Sequence, residues 1–270
     1  GAQGANGVIL ITTKKGKTGK PVIAYNYSFG LQKLRKKLKL QNAVEFANTV
    51  NAYALAQNGI NNPNPSPIFS ESEINDFKRT GGTDWQDVIY RTAHMNNHEL
   101  SLSGGTDNLK YFISGGYLNQ DGILLNSNYN RFSLRANFQA DISEKISFNL
   151  NWVGAKEAGN SPPFGSGGEF LAKGVNTATL WAPTEPVYDS LGNYSVHRGG
   201  YGAANVWNPL ASVVEPDIDN SSIRNLLNAY LEYKPLPGLT IRITGGANIN
   251  NVNNKIFYNR KTLIGLQAGG

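Results

Sequence analysis

The stretch RFSLRANFQAD, residues 131–141, alternates polar and apolar side chains without a break. Its apolar positions are Phe132, Leu134, Ala136, Phe138 and Ala140. Side chains of a β-strand point to opposite faces in turn, so the pattern predicts a strand with one apolar and one polar face. Residues 145–152, KISFNLNW, repeat the pattern after a short link, which predicts a hairpin.

The same alternation recurs in five other segments, which brings the number of predicted amphipathic strands to seven: 20–30, 98–105, 108–118, 226–234 and 239–250. Tight turns are predicted at 105–108, 142–144 and 235–238, an intermediate connection at 119–129, and long ones at 31–97 and 155–222. Loops this long are unusual in a compact soluble domain. Short turns on one side and long loops on the other are typical of a transmembrane β-barrel.

Composition narrows the classes of function. The 270 residues include no Cys, which excludes disulfides, thiolate metal sites and cysteine nucleophiles. No run of about 18 apolar residues occurs, so no transmembrane helix is predicted. No Ser-His-Asp grouping or paired carboxylate stands out, so we expect neither an enzyme nor a cofactor.

The apolar strand faces allow two interpretations, because they can face lipid or a dry protein core. Aromatic residues near the strand ends favour lipid, since they match the interfacial girdle of a membrane barrel. They are Tyr111, Tyr117, Phe132, Trp152 and Tyr233. We therefore predict an all-β, antiparallel transmembrane barrel wall, and a soluble β-sandwich remains the alternative.

The first long connection carries helix signals. Asn42 with Glu45, and Ser70 with Glu73, have the spacing of a capping box, and Phe69 with Ile74 that of a hydrophobic staple. A further short helix is predicted within residues 168–181 of the second long connection.

The first residues, GAQGANGVILITTKKGK, join a glycine-rich run to a continuous apolar strand at 8–11. This stretch closely resembles the end of the plug domain in TonB-dependent outer-membrane transporters of the SusC/RagA branch. The positions that carry the resemblance are Gly1, Gly4, Asn6 and Gly7. The segments TDWQDVIYR, residues 83–91, and LSGGTDNLKYFISGGYLNQDGI, residues 102–123, support it.

The resemblance implies that residues 1–19 end a plug domain and its hinge, and that residues 20–270 form the N-terminal part of a 22-stranded barrel. The chain is then part of a longer protein. The family implies a bacterial outer-membrane location and active import of oligosaccharides or peptides. Its partners would be TonB, reached through an upstream segment, a SusD-like lipoprotein, and outer-membrane lipid with lipopolysaccharide. The alternatives are a siderophore or cobalamin receptor and a non-transporting, glycan-binding surface β-sandwich.

Ligand contacts are expected in the second long connection, where aromatic residues lie among Gly, Asn and Ser. These candidates are Trp181, Tyr188, Tyr194, Tyr201 and Trp207. Aromatic faces with short polar groups suit sugar rings. The alternative is that these side chains pack the loop itself or the lipoprotein.

Two charged or titratable motifs have weaker implications. His94 and His98 do not follow the zinc-protease order, so a polar pair at the edge of a strand is favoured and no metal is expected. The segment KLRKKLKL has five basic residues between 33 and 39. Nucleic-acid binding, a solvated loop and contact with lipopolysaccharide phosphates are the interpretations. In the barrel frame we expect no nucleic acid.

Overall fold

The computed structural model describes residues 14–56, 66–161, 175–197 and 207–269. Its strands are β1 (Gly19–Gln32), β2 (Ala93–Gly105), β3 (Leu109–Asp121), β4 (Asn128–Ser143), β5 (Ile146–Asn160), β6 (Asp217–Leu236) and β7 (Leu239–Phe257). Its helices are α1 (Ala43–Ala56), α2 (Glu71–Thr80), α3 (Trp85–Ile89), α4 (Val175–Leu180), α5 (Pro209–Val214) and α6 (Leu263–Ala268).

The seven strands form one antiparallel sheet in the order of the sequence, β1 to β7. Each strand pairs with the next along the chain. The three tight turns join β2 to β3, β4 to β5 and β6 to β7, as predicted. Within the described residues β1 and β7 are the sheet edges, so the structure is the open wall of a barrel.

The register aligns the apolar residues of all seven strands on one side of the sheet, which we call the apolar face. One row crosses every strand and consists of Ile23, Leu102, Ile113, Ala136, Trp152, Leu227 and Ala247. Many of the large side chains on this face are exposed; Ile23, for example, is 72% exposed and Phe132 51%. A soluble sandwich predicts a second sheet over this face, and no described element provides one.

The height of the apolar face fits a lipid bilayer. On β4 it extends from Phe132 to Ile142, a distance of about 33 Å along the strand at ~3.3 Å per residue. A strand tilt of about 40° reduces this to a band of about 25 Å, which is the height expected for an outer-membrane barrel. The fold is therefore that of a transmembrane antiparallel β-barrel.

The opposite side, which we call the polar face, is more enclosed than the apolar one. Asn137 and Asn149 are each 3% exposed, although they are polar. They are hydrogen-bonded through Asn151: its Oδ1 accepts from Asn137 Nδ2, and its Nδ2 donates to Asn149 Oδ1 at 2.7 Å. Such pairing compensates for the lost hydration of buried amides, as a polar inner wall requires.

The strands are longer than the alternation predicts, and this corrects the predicted boundaries. They have 13–20 residues, and the long connections shrink to 33–92 and 161–216. The additional residues lie mostly beyond the apolar band. There the backbone ladder continues, but apolar residues no longer keep to one face, as Val252 and Phe257 of β7 show, so periodicity no longer marks a strand.

The predicted helix caps are confirmed. Asn42 and Glu45 exchange hydrogen bonds of 2.9 and 3.0 Å at the start of α1. Ser70 and Glu73 form the capping box of α2, and Ile74 packs against the cluster that contains Phe69. Helix α4 lies within the segment where a short helix was predicted, and α3, α5 and α6 were not predicted.

No helix in the described part of the chain is both long and apolar enough to span a membrane. The plug-end residues Gly1, Gly4, Asn6 and Gly7 lie outside the described residues. The boundary between a plug end at residues 1–19 and a barrel at residues 20–270 therefore stays a prediction. Strand β1 begins at Gly19, beside that boundary.

Candidate ligand-binding site

The two long connections, and the shorter one between β3 and β4, join the same ends of the strands, which we call the loop ends. Their described parts pack together there into a loop layer, which comprises residues 33–56, 66–92, 122–127, 175–197 and 207–216. The layer has its own apolar core, formed by Trp85, Ile89, Leu124, Ala178, Trp181 and Val213. Because these residues come from three connections, the loops support one another as one unit.

Polar contacts fix the loops to each other. Trp85 Nε1 donates to the Ala182 carbonyl at 2.9 Å, and Thr83 donates its N–H to the Pro183 carbonyl at 2.9 Å. Asn126 Nδ2 lies 3.2–3.3 Å from three carbonyl oxygens of residues 213, 214 and 216. Asn126 has a positive φ of 56°, which Asn tolerates better than most residues.

Trp181, a predicted ligand contact, lies in the core of this layer and is 4% exposed. Its ring packs edge-to-face on Trp85, with centroids 6.2 Å apart, and on His197 at 4.9 Å. This placement matches the alternative in which the aromatic side chain packs the loop. A direct ligand contact by Trp181 stays an untested prediction.

Tyr188 and Tyr194 stack on each other across a short bridge, with ring centroids 5.5 Å apart. Tyr188 is 49% exposed, so one aromatic surface is accessible in the loop layer. Tyr194 is oriented by its hydroxyl, which donates to Glu215 Oε1 at 2.7 Å. These two are the candidates that the structure brings together.

The remaining two candidates differ in what can be said of them. Trp207 is partly exposed, and its Nε1 donates to the Lys261 carbonyl at 2.7 Å, which links the loop layer to the segment after β7. Tyr201 lies outside the described residues.

Glu215 connects the loop layer with the segment after β7, residues 258–269. Burial raises the pKa of its carboxyl, but hydrogen bonds from Asn259 and Tyr194 and the ammonium of Lys261 outweigh this, so the pKa lies below its usual value. The Asn259 Nδ2–Glu215 Oε2 distance is 2.9 Å, and Lys261 Nζ lies 3.6 Å from Oε1. In turn, burial and then the Glu215 carboxylate raise the pKa of the Tyr194 hydroxyl well above its usual value.

Sequence reasoning missed a cavity of about 400 Å³ on the polar face near the loop ends of β3 to β7. Its lining includes Gln120, Tyr129, Glu157, Asn160, Asn220 and Asn254. Ser222 Oγ donates to Glu157 Oε2 at 3.1 Å within it. Amides, hydroxyls and one carboxylate can bind a hydroxyl-rich or amide-rich ligand. Only the strand register reveals this grouping, although the excess of Asn and Ser was visible.

The histidines do not form a metal site. His94 and His98 lie on one face of β2, about 13 Å apart at ~3.3 Å per residue. His98 Nδ1 lies 2.8 Å from the Tyr25 hydroxyl, and His94 lies beside Phe29. Among the residues that the structure describes, no group of three His, Asp or Glu side chains could hold a metal ion.

Comparison with known proteins gives consistent results. No protein-family model matches the chain. The chain is 33% identical over 272 residues to TonB-dependent receptor P3 of Formosa agariphila, with 100% of the chain and 25% of that receptor aligned. It is 34% identical over 203 residues to TonB-dependent receptor SusC of Bacteroides thetaiotaomicron, with 74% of the chain and 18% of SusC aligned.

Solved structures agree on the fold. The structure of the RagAB peptide transporter matches 95% of the chain with a TM-score of 0.72 and 23% identity, and the chain covers 31% of that structure's chain. The closed-closed state of the RagAB peptide importer matches with a TM-score of 0.70. The chain thus spans a quarter or less of the first two receptors. The chain belongs to the TonB-dependent receptor family, and its relatives P3 and SusC are receptors.

Proposed function

We propose that this chain forms part of the wall of a transporter that imports large nutrients, in the first place oligosaccharides, across the bacterial outer membrane. TonB drives the import, and a SusD-like lipoprotein assists it. Residues 1–19 end the plug, and residues 20–270 begin the barrel. The whole receptor performs the import, and the chain contributes seven strands and the loop layer.

One observation carries this proposal: the sheet has opposite characters on its two faces. The apolar face carries exposed large side chains on six of the seven strands and partly exposed ones on β5, while the polar face encloses hydrogen-bonded amides such as Asn137 and Asn149. A wall between lipid and a wet lumen needs this arrangement. The relationship to TonB-dependent receptors supports energised import rather than a passive pore.

Oligosaccharides fit the chemistry of the candidate site. The polar-face cavity offers amide and hydroxyl groups, and Tyr188 offers an exposed aromatic ring in the loop layer. We therefore propose Tyr188 and Tyr194, with the untested Trp181, Tyr201 and Trp207, as the aromatic part of the ligand path. Peptide amides could use the same polar groups, so peptides are the competing substrate class.

A SusD-like partner would cover the loop layer. Exposed apolar side chains occur there, among them Leu191 at 85%, Val196 at 65% and Tyr53 at 64%. Exposed apolar residues of this kind suit a protein interface when they form a contiguous patch. The similarity to SusC supports a partner of the same type.

The test is an uptake assay in the native bacterium. Deletion of the gene for the full receptor should abolish uptake of labelled oligosaccharides, and the wild-type gene should restore it. Collapse of the proton-motive force should stop uptake while surface binding persists. If the receptor supports uptake of labelled peptides alone, peptides replace oligosaccharides as the substrate class. If the deletion abolishes uptake of iron–siderophore complexes or cobalamin, a siderophore or cobalamin receptor is favoured.

A protein that is recovered in the soluble fraction, with its apolar strand faces buried, would contradict the transporter altogether. It would then favour the glycan-binding β-sandwich.

A further inference from the structure

The alternation of β1 continues beyond its last hydrogen-bonded residue. On the apolar face β1 presents Tyr27, Phe29 and Leu31, which are 53%, 53% and 62% exposed. The next positions alternate between partly buried and exposed, with Gln32 and Leu34 partly buried and Lys33 and Arg35 exposed. Lys33 and Arg35 are therefore the next two exposed positions after Leu31, just beyond the loop end of β1.

This order of side chains is the order of a membrane interface. Aromatic rings come first, then Leu31, and then two exposed cations directly after the strand. On the neighbouring strand, His98 packs against Tyr27 and His94 against Phe29, with ring centroids 4.8 and 6.1 Å apart. Aromatic and polar side chains of this kind mark the depth where lipid headgroups begin.

The basic segment, residues 33–39, is held in place by the backbone of Leu38 and the side chain of Lys37. The amide of Gln86 accepts from the Leu38 N–H at 2.8 Å and donates to the Leu38 carbonyl at 2.9 Å. Lys37 is paired with Asp84 at 2.9 Å and Asp87 at 2.5 Å. These contacts attach the segment to α3 at one end, and β1 fixes the other end.

Most of the positive charge of this segment is not neutralised by the rest of the described chain. None of the salt bridges of the described residues involves Lys33, Arg35, Lys36 or Lys39. Leu38 and Leu40, between and beside these cations, are 61% and 47% exposed. The surface therefore combines cations with apolar side chains, which suits an amphiphile better than a soluble anion.

We infer that Lys33 and Arg35, with Lys36 and Lys39 behind them, bind the phosphate groups of an anionic, phosphorylated lipid in the outer leaflet. The acyl chains would lie against the apolar face of β1, and the phosphates against the cations. Clustered Lys and Arg side chains at a membrane surface attract anionic headgroups. The inference rests on the proposed function, because the apolar face must lie in a membrane.

The experiment measures lipid binding to the purified full receptor in mild detergent by native mass spectrometry. The probes are bis-phosphorylated lipid A and the same lipid without its phosphates. The test variant is Lys33→Gln/Arg35→Gln. The matched control is Lys78→Gln/Arg79→Gln, which removes two exposed cations from α2, away from the apolar face.

The double variant should bind phosphorylated lipid about 25-fold more weakly, since each basic side chain near a membrane surface contributes roughly fivefold. Single substitutions of Lys33 or Arg35 should each weaken binding by about fivefold on the same basis. The control variant should bind like wild type, and the dephosphorylated lipid should not distinguish any of the proteins.

Three results would overturn the inference: equal binding by wild type and the double variant, equal binding of both lipids, or displacement of the lipid by millimolar inorganic phosphate. Membrane fractionation separates this failure from that of the proposed function. If the wild-type receptor is recovered with the outer membrane and lipid binding is unaffected by the substitutions, the inference alone is wrong. A wild-type receptor absent from the membrane would defeat both.

Discussion

Replacement of Trp181 by Ala tests whether this side chain supports the loop layer or contacts ligand. The indole is 4% exposed and packs against Trp85 and His197. Removal of a buried Trp costs about 3–5 kcal/mol, because it forfeits transfer free energy and leaves a cavity. The edge-to-face aromatic contacts account for about 0.5–1.5 kcal/mol of this for each pair. The free energy required to open the loop layer should fall by the full loss of about 3–5 kcal/mol.

Hydrogen exchange of the full receptor in detergent measures that opening. Useful amides are Leu125, which donates to the Ile89 carbonyl at 2.9 Å, and Trp181 itself, which donates to Thr177 at 2.9 Å. A loss of about 3 kcal/mol corresponds to exchange about 160-fold faster. Amides in the middle of β4 should be unaffected, since the loop core does not extend to them.

The matched control is Tyr188→Ala, because Tyr188 is aromatic, lies in the same connection and is 49% exposed. It should change the exchange of these amides by no more than a few-fold. If Trp181→Ala leaves exchange unchanged but lowers ligand affinity, the structural role assigned to Trp181 is wrong, and the ligand-contact prediction gains support.

Three further predictions test other parts of the structure. Because the folded pKa of Glu215 is lowered, its contacts with Asn259 and Lys261 stabilise the region after β7 above the ordinary carboxyl pKa and are lost as pH falls through the folded pKa. The protection of residues 258–269, taken relative to the intrinsic exchange rate at each pH, should therefore fall on acidification in wild type and be much less pH-dependent in Glu215→Gln. Gly82→Ala should destabilise the loop layer by about 2–4 kcal/mol in chemical denaturation, since Gly82 has a φ of +72° and a new Cβ would meet Ala43 and the Pro183 carbonyl. The control is Gly81→Ala, where φ is +83° but a Cβ would meet only open space, and it should cost about 1–2 kcal/mol. Ser70→Ala removes the cap of α2 and should cost about 1 kcal/mol, seen as faster exchange of α2 amides with α1 unchanged.

The strands were predictable because one physical constraint acts on every residue of the band. Each side chain between Phe132 and Ala140 faces either the apolar or the polar side, so alternation marks the strand directly. Beyond the band the constraint ends, and polar residues such as Asn220, whose register partners are Gly159 and Asn254, can occupy a strand without an apolar partner. Strand ends were therefore misplaced while strand identity and pairing were right.

Helices α1 and α2 were predictable because a reciprocal capping box marks their start, whereas α3, α5 and α6 begin at a single N-cap residue, Asp84, Asn208 or Thr262. Ser70 and Glu73 satisfy backbone groups within three residues, so the signal is local. Helix α3 spans five residues, Trp85–Ile89, and is stabilised by the burial of Trp85 and Ile89 among residues of other connections. An isolated helix this short is unstable, and its single N-cap side chain, Asp84, is too common a local signal to predict it.

The candidate site was predictable in composition but not in orientation. Both Trp181 and Tyr188 belong to an aromatic-rich connection, yet one is buried against Trp85 and the other is exposed. What separates them is the packing of residues about a hundred positions apart, which a single sequence does not specify. The polar-face cavity likewise depends on the register of five strands.

The most direct test of the central claim is a cysteine scan of β4 in the full receptor. This chain contains no Cys, so single substitutions along residues 131–140 give unique labelling positions once any cysteines elsewhere in the receptor are replaced. Nitroxide labels in native outer membranes should contact oxygen in lipid at the apolar positions Phe132, Leu134, Ala136, Phe138 and Ala140. At the polar positions the labels should not contact oxygen in lipid, and any contact should be with a water-soluble relaxation agent. These positions are Arg131, Ser133, Arg135, Asn137 and Gln139. A period of two along the strand is the predicted result, and the same accessibility on both faces, or an apolar face shielded from lipid, would contradict the account.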